Sequence, residues 1–164
     1  MAKPGITVNI PGFGTREIRT IVTDYTGTHS CGGKMTDSVK IILRKLADLV
    51  DIHVLTSDTF GTVRKELAGI PVVIHILEGS SHDHQKAVYV SVRGANTIAA
   101  FGNGNNDRLM LKNVREAGGL AVAVDNGEGC AVDAILNADL FIHGSENALM
   151  LLLDTNRLKA TLRF

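Results

Sequence analysis

Ile21-Val22-Thr23-Asp24-Tyr25-Thr26-Gly27-Thr28 is the stretch that decides the fold. Its apolar, β-branched run reads as a buried strand. The run ends in an aspartate, and a turn carrying Gly27 follows at once. A carboxylate at the C-terminal end of such a strand stands at the rim of a parallel sheet, where open α/β folds bind their ligands. Asp-x-x-Gly is also ordinary turn chemistry. These eight residues alone do not separate the two readings.

Working outward, residues 6–9 alternate and meet the breakers Pro11-Gly12-Phe13-Gly14, and 17–24 is the next extended run. This predicts a β-hairpin leading into the central strand. Residues 28–34 form a polar loop. Thr36-Asp37 then starts an amphipathic helix with Val39, Ile42, Leu43 and Leu46 on one face.

Residues 51–55 read as a second strand ending in Thr56-Ser57-Asp58, where Ser57 or Asp58 caps a helix to about Leu67. A strand over 71–77 and a helix over 81–92, carrying Lys86, come next. A strand over 97–101 runs into Gly102-Asn103-Gly104-Asn105-Asn106-Asp107. A helix over 108–117, strands over 120–124 and 140–142, a helix over 131–136 and a last helix from Ser145 complete the pattern. Strands alternating with helices predict an α/β fold, a three-layer α/β/α sandwich around a mainly parallel, Rossmann-like sheet. No linker or repeat divides residues 1–164, so a single domain is expected.

Composition narrows the function. Lys+Arg 17 against Asp+Glu 17 leaves no net charge to draw the chain to nucleic acid or membrane. Aromatic content is 4% and Trp is absent, which argues against base-stacking platforms. Cys31 and Cys130 form no metal or redox motif. No long apolar span or signal peptide is evident, so a cytoplasmic protein is expected.

Three predicted strands end in polar loops of a matching kind: Asp24-Tyr-Thr-Gly-Thr, Thr56-Ser-Asp and Gly102-Asn-Gly-Asn-Asn-Asp107. Right-handed crossovers bring such ends to one edge of a sheet. The resulting crevice would hold two carboxylates, a hydroxyl, glycine-rich backbone and Lys86. Carboxylates suit Mg²⁺, and a lysine with backbone N–H groups suits phosphate. A carboxylate nucleophile beside Mg²⁺ suits phosphoryl transfer.

Asp24-x-x-Gly-Thr, Thr56, Lys86 and Gly-Asn-Gly-Asn-Asn-Asp107-Arg-Leu-Met-Leu resemble the four motifs of the haloacid dehalogenase-like hydrolase superfamily, over roughly residues 21–153. The pattern is most similar to small soluble proteins like the phosphorylation domain of P-type ATPases. The resemblance implies that Asp24 is the nucleophile and a Mg²⁺ ligand, and that Thr26 offers its carbonyl to the metal. It implies that Asn103 and Asp107 complete the metal site, directly or through water. Thr26, Gly27, Thr56, Ser57 and Lys86 would bind phosphate, with Lys86 also neutralising the nucleophile. Thr26, Thr56 and Lys86 join Asp24 as the catalytic set.

Two positions depart from the family pattern. Most phosphatases of the superfamily carry an aspartate two residues after the nucleophile, as general acid/base; here Thr26 stands there, as in P-type ATPases. Asn103 stands where aspartate is usual. Slower hydrolysis and weaker Mg²⁺ binding are expected, unless another group such as Asp58 or His29 moves the proton. The motif spacing leaves no room for a cap domain, which implies a large substrate or a site covered by self-association.

Other candidates are weaker. His82-Asp83-His84 reads as a solvated helix start rather than a metal site. His53 and His75 read as core histidines. His29 and Cys31 follow the first motif and could touch substrate, but nothing in the sequence activates Cys31 as a nucleophile. Gly102-x-Gly is too short for a dinucleotide fingerprint. The leading expectation is a Mg²⁺-dependent phosphohydrolase acting through phospho-Asp24 on a phosphorylated small molecule or phosphoprotein, as a homo-oligomer. One alternative is a regulatory protein that binds phosphate or a phosphoprotein with little turnover. A dehalogenase is disfavoured, because Lys86 and the Gly-Asn loop suit phosphate.

Overall fold

A computed structural model describes residues 2–164. Strands β1 (Ile6–Ile10) and β2 (Gly14–Ile18) pair antiparallel as a two-stranded sheet of their own. The expected continuous run over 17–24 is divided, because the backbone changes partner. Up to Ile18 it pairs with β1, whereas Arg19 donates to Thr97 O and accepts from Asp51 N on the main sheet. From there β3 (Thr20–Thr23) begins.

The main sheet also contains β4 (Asp51–Thr56), β5 (Val73–Ile76), β6 (Ile98–Gly102), β7 (Leu120–Asp125) and β8 (Leu140–His143). Its order is β5-β4-β3-β6-β7-β8, with every neighbouring pair parallel. The chain winds outward from β3 through β4 to β5, then returns to β6 on the other side of β3. That reversal between β3 and β6 is the topological switch point, where sheets of this kind open a crevice. Asp24 follows β3 and Asn103 follows β6, so both stand at the switch.

The central strands are apolar because both faces are covered; every residue of β6 is buried. One face packs on α1 (Asp37–Ala47), α6 (Ser145–Leu153), α7 (Thr155–Leu162) and the hairpin. The other packs on α3 (His82–Ser91), α4 (Arg108–Ala117) and α5 (Val132–Leu136). Adjacent β3 residues divide between them, Ile21 to the first core and Val22 to the second. This is the expected three-layer α/β/α sandwich. No domain is inserted between β3 and α1, nor between β4 and α3, among the described residues.

α1 follows its pattern. The Thr36 hydroxyl accepts the Val39 N–H, Asp37 occupies the first turn, and Val39, Ile42, Leu43 and Leu46 are buried. Elsewhere the expectations shift. Helix α2 is only Val63–Glu66, because Asp58 sits outside it and reaches in, its Oδ1 accepting the N–H groups of Thr62 and Val63. The last helix is two, broken at Asp154. His75 is exposed rather than in the core, because β5 is an edge strand. His53 is half-buried, its Nδ1 2.7 Å from the Tyr89 hydroxyl.

Candidate active site

The site grows from the end of β3. Asp24 donates its N–H to Phe101 O, which locks the strand end to β6. The chain then turns sharply, with the N–H groups of Thr28, His29 and Ser30 all donating to the Tyr25 carbonyl. Gly27 takes a positive φ of +77° inside this turn, and a side chain there would strike the Asn103 amide. Glycine is needed twice over, for conformation and for close approach. On β6, a Cβ at Gly102 would lie 2.5 Å from the Asp107 side chain. The two loops therefore meet without side chains between them.

Lys86 arrives from the opposite layer on α3. Its Nζ lies 2.9 Å from Asp24 Oδ1 and 2.6 Å from Asp107 Oδ1. The lysine has no exposed surface, nor has Asp107, and Asp24 is 6% exposed. Asp107 Oδ2 accepts the N–H groups of Asn103 and Gly104 at 3.0 and 2.9 Å. Both Asp107 oxygens are thus taken by the protein. A buried carboxylate is tolerable when so fully bonded.

Burial and the Asp107 charge raise the Asp24 carboxyl to about 6, against the opposing pull of Lys86. For Lys86, burial alone would lower the pKa. Asp107 and Asp24 together outweigh it and hold the ammonium above its ordinary range. The triad is one cation between two carboxylates, and the proton excess settles on the lysine.

The outer oxygen of Asp24 faces Thr28, whose Oγ1 lies 3.2 Å from Asp24 Oδ2 and 3.1 Å from Asn103 Oδ1. Asn103 Nδ2 donates to Gly129 O, and its oxygen faces the Thr28 hydroxyl. The Asp24 carboxylate and Asn103 Oδ1 are hard oxygen donors of the type Mg²⁺ takes. The buried Thr26 hydroxyl has no protein partner, which leaves a polar atom for a bound group to satisfy. The donor set fits a hard divalent cation beside a phosphate.

Thr56 ends β4, is buried, and accepts the Asp58 N–H on its Oγ1 at 2.9 Å. Ser57 is exposed and its hydroxyl pairs with Thr59. His29 is buried, and its Nε2 has no protein partner. It is 2% exposed, its Nδ1 lies 2.6 Å from Ser145 Oγ, and burial lowers its pKa to about 3. Asp58 Oδ1 accepts the N–H groups of Thr62 and Val63 at the start of α2. His82-Asp83-His84 opens α3, with Asp83 paired to Arg108. Among the described residues, no group of three His, Cys, Asp or Glu side chains is placed to hold a metal.

The site has a further wall. The loop after β7 folds over the first loop, with Asp125 Oδ1 accepting the N–H groups of Gly127 and Gly129. Glu128 at its tip accepts the Gly32 N–H at 3.1 Å, and its Oε2 lies 3.0 Å from where a Gly27 Cβ would stand.

No family model matches the chain. An uncharacterized protein of Methanocaldococcus jannaschii is 47% identical over 66 residues, 40% of this chain and 67% of that protein. The chain belongs to the same family as that archaeal protein. Among solved structures, the 3-deoxy-D-manno-octulosonate 8-phosphate phosphatase of Moraxella catarrhalis, in complex with magnesium, phosphate and KDO, superposes with a TM-score of 0.64. The match covers 89% of this chain and 94% of the phosphatase, at 14% identity. The chain has the haloacid dehalogenase-like fold. The cobalt-bound phosphatase of the same name from Haemophilus influenzae matches at TM-score 0.61 and 16% identity, over 88% of this chain and 91% of that one. A putative hydrolase of the superfamily's subfamily III A from Legionella pneumophila matches at 0.63 and 14%, over 87% and 86%.

On this haloacid dehalogenase-like scaffold, Asp24, Lys86, Asn103 and Asp107 meet in one bonded cluster, with Gly27 packed against it. Sequence reasoning gave Thr28 no role and passed over Glu128. Asp125-Asn-Gly-Glu-Gly was legible by the rule that found the other loops, as a polar, glycine-bearing end of an apolar strand.

Proposed function

We propose that this chain is a Mg²⁺-dependent phosphohydrolase that forms an aspartyl-phosphate on Asp24. The observation that carries the reading is the buried Lys86 ammonium between Asp24 and Asp107 at the switch point of the sheet. A structural salt bridge does not explain why Asp24, unlike Asp107, bonds its second oxygen only to a hydroxyl, that of Thr28. The Moraxella catarrhalis phosphatase, which holds magnesium and phosphate on this fold, supports the same reading.

The residues divide the work as follows. Lys86 holds Asp24 Oδ1, leaving Oδ2 as the attacking atom. Burial and the Asp107 charge hold the Asp24 carboxyl at about 6 in the metal-free site, and it is the ionised carboxylate that attacks phosphorus. The Thr56 Oγ1 already accepts the Asp58 N–H, so its own proton is free for a phosphoryl oxygen. Asp107 stays bonded and fixes Lys86 and the Asn103 loop. Asp24, the Thr26 carbonyl and Asn103 would hold Mg²⁺, with Asp107 acting through water. The ion, when bound, neutralises charge on the transferring phosphoryl group. The substrate class is a phosphomonoester, on a small molecule or on a protein.

The test is hydrolysis of p-nitrophenyl phosphate by wild type with Mg²⁺, by wild type in chelator, and by Asp24→Asn with Mg²⁺. Turnover only in the first supports the reading. Turnover by Asp24→Asn at the wild-type rate refutes it.

A further inference from the structure

We infer that Glu128 is the proton-transfer residue of this site, in place of the carboxylate that position 26 lacks. The inference rests on the phosphohydrolase reading. Attack by Asp24 expels an alkoxide that needs a proton, and hydrolysis of the acyl phosphate needs a base for water. Threonine supplies neither near neutral pH.

The other ionisable groups around the crevice are bonded or buried. Asp107 has Lys86 on one oxygen and two N–H groups on the other. Lys86 holds two carboxylates and its own proton. Asp58 Oδ1 binds the start of α2, and His29 is buried, its Nδ1 against Ser145 and its Nε2 without a protein partner. Glu128 is set apart by its exposure and by its position over the first loop. Its Oε1 is held by the Gly32 N–H, and its Oε2 lies over Gly27. Both flanks of its loop are pinned, by Asp125 to Gly127 and Gly129 and by Asn103 to the Gly129 carbonyl. The bare Cα of Gly27 is what leaves room for the carboxylate beside the nucleophile's loop.

The steps balance. In the first, Asp24 Oδ2 bonds to phosphorus, the bond from phosphorus to the ester oxygen breaks, and the Glu128 carboxylic acid gives that oxygen its proton. In the second, the Glu128 carboxylate takes a proton from water as the water oxygen bonds to phosphorus. The bond from phosphorus to Asp24 breaks, and Asp24 leaves as carboxylate with inorganic phosphate. Glu128 ends protonated, ready for the next cycle.

The experiment compares wild type with Glu128→Gln, in Mg²⁺, on p-nitrophenyl phosphate and on glycerol phosphate. Glutamine keeps an oxygen for the Gly32 N–H, so a purely structural role survives the change. p-Nitrophenolate leaves without a proton. Glu128→Gln should therefore release one equivalent of it in a burst, then stall as phospho-Asp24 with turnover down about 10²-fold or more. With glycerol phosphate it should lose turnover by a similar factor and show no burst. Turnover within about threefold of wild type on both substrates overturns the assignment. So does a loss on p-nitrophenyl phosphate without a burst, which would place Glu128 in binding rather than proton transfer. Wild type that forms no phosphoenzyme and hydrolyses neither ester overturns the phosphohydrolase reading itself, and this inference with it.

Discussion

Lys86 and Asp107 form a buried ion pair, with Nζ 2.6 Å from Oδ1 and neither side chain exposed. The lysine lies closer to this aspartate than to Asp24, at 2.9 Å. The pair joins α3 to the loop after β6, and so couples one helical layer to the sheet edge. Removing one partner of such a pair strands the other charge. Lys86→Ala should cost about 3–5 kcal/mol of unfolding free energy, measured by urea denaturation. A cost under about 1 kcal/mol would mean that the pair is solvated.

Two buried groups pull stability in opposite directions with pH. His29 titrates at about 3 when folded against 6.5 as a free group, so the unfolded chain binds the proton and stability falls as pH drops from 6.5 to 3. Asp24 titrates at about 6 when folded against 3.8, so the folded chain binds the proton and stability rises as pH drops from 6 to 3.8. Between pH 4 and 6 the two offset. Asp24→Asn removes the second. In chelator it should be more stable than wild type at pH 7 by about 1–3 kcal/mol, with the advantage shrinking by up to about 1.4 kcal/mol per unit as pH falls to 4. An advantage that stays constant across this range would contradict the raised Asp24 pKa.

Much of this was legible in the chain. The run ending in Asp24 and the Gly102-to-Asp107 loop are local signals, and a parallel sheet brings their strand ends together by topology. Strand rank is not local. Residues 71–77 have the composition of a buried strand, yet β5 lies at the edge and leaves His75 in solvent. The break at Arg19 was hidden because extended residues on either side look alike; only the change of partner marks it. Glu128 was missed because a glutamate in a glycine-rich turn is ordinary until Gly27 is seen beneath it.

Asn103→Asp has two effects of opposite sign. It adds a charged donor for Mg²⁺. It also replaces the amide that donates to Gly129 O with an oxygen facing that carbonyl, beside Asp24 and Asp107. The apo variant should lose about 1–3 kcal/mol, and added Mg²⁺ should raise its melting temperature more than that of wild type. Equal Mg²⁺-induced shifts in the two proteins would remove Asn103 from the metal site.

Thr26→Asp places a carboxylate where the hydroxyl now has no partner. In wild type it should shorten the life of phospho-Asp24. In a Glu128→Gln background it should restore turnover by at least about tenfold, because a second acid/base replaces the first. Rapid-quench lifetimes in the two backgrounds decide it. No recovery in the double variant would show that proton transfer does not limit the reaction.

The central claim is that Asp24 carries the phosphoryl group. Its most direct test is to quench wild type with acid within one turnover of p-nitrophenyl phosphate and Mg²⁺, then map the modification by peptide mass spectrometry. The account predicts one phosphoryl group on Asp24, absent without Mg²⁺ and absent from Asp24→Asn. Steady turnover with no phosphoryl group on Asp24, or with the group on another residue, would contradict it.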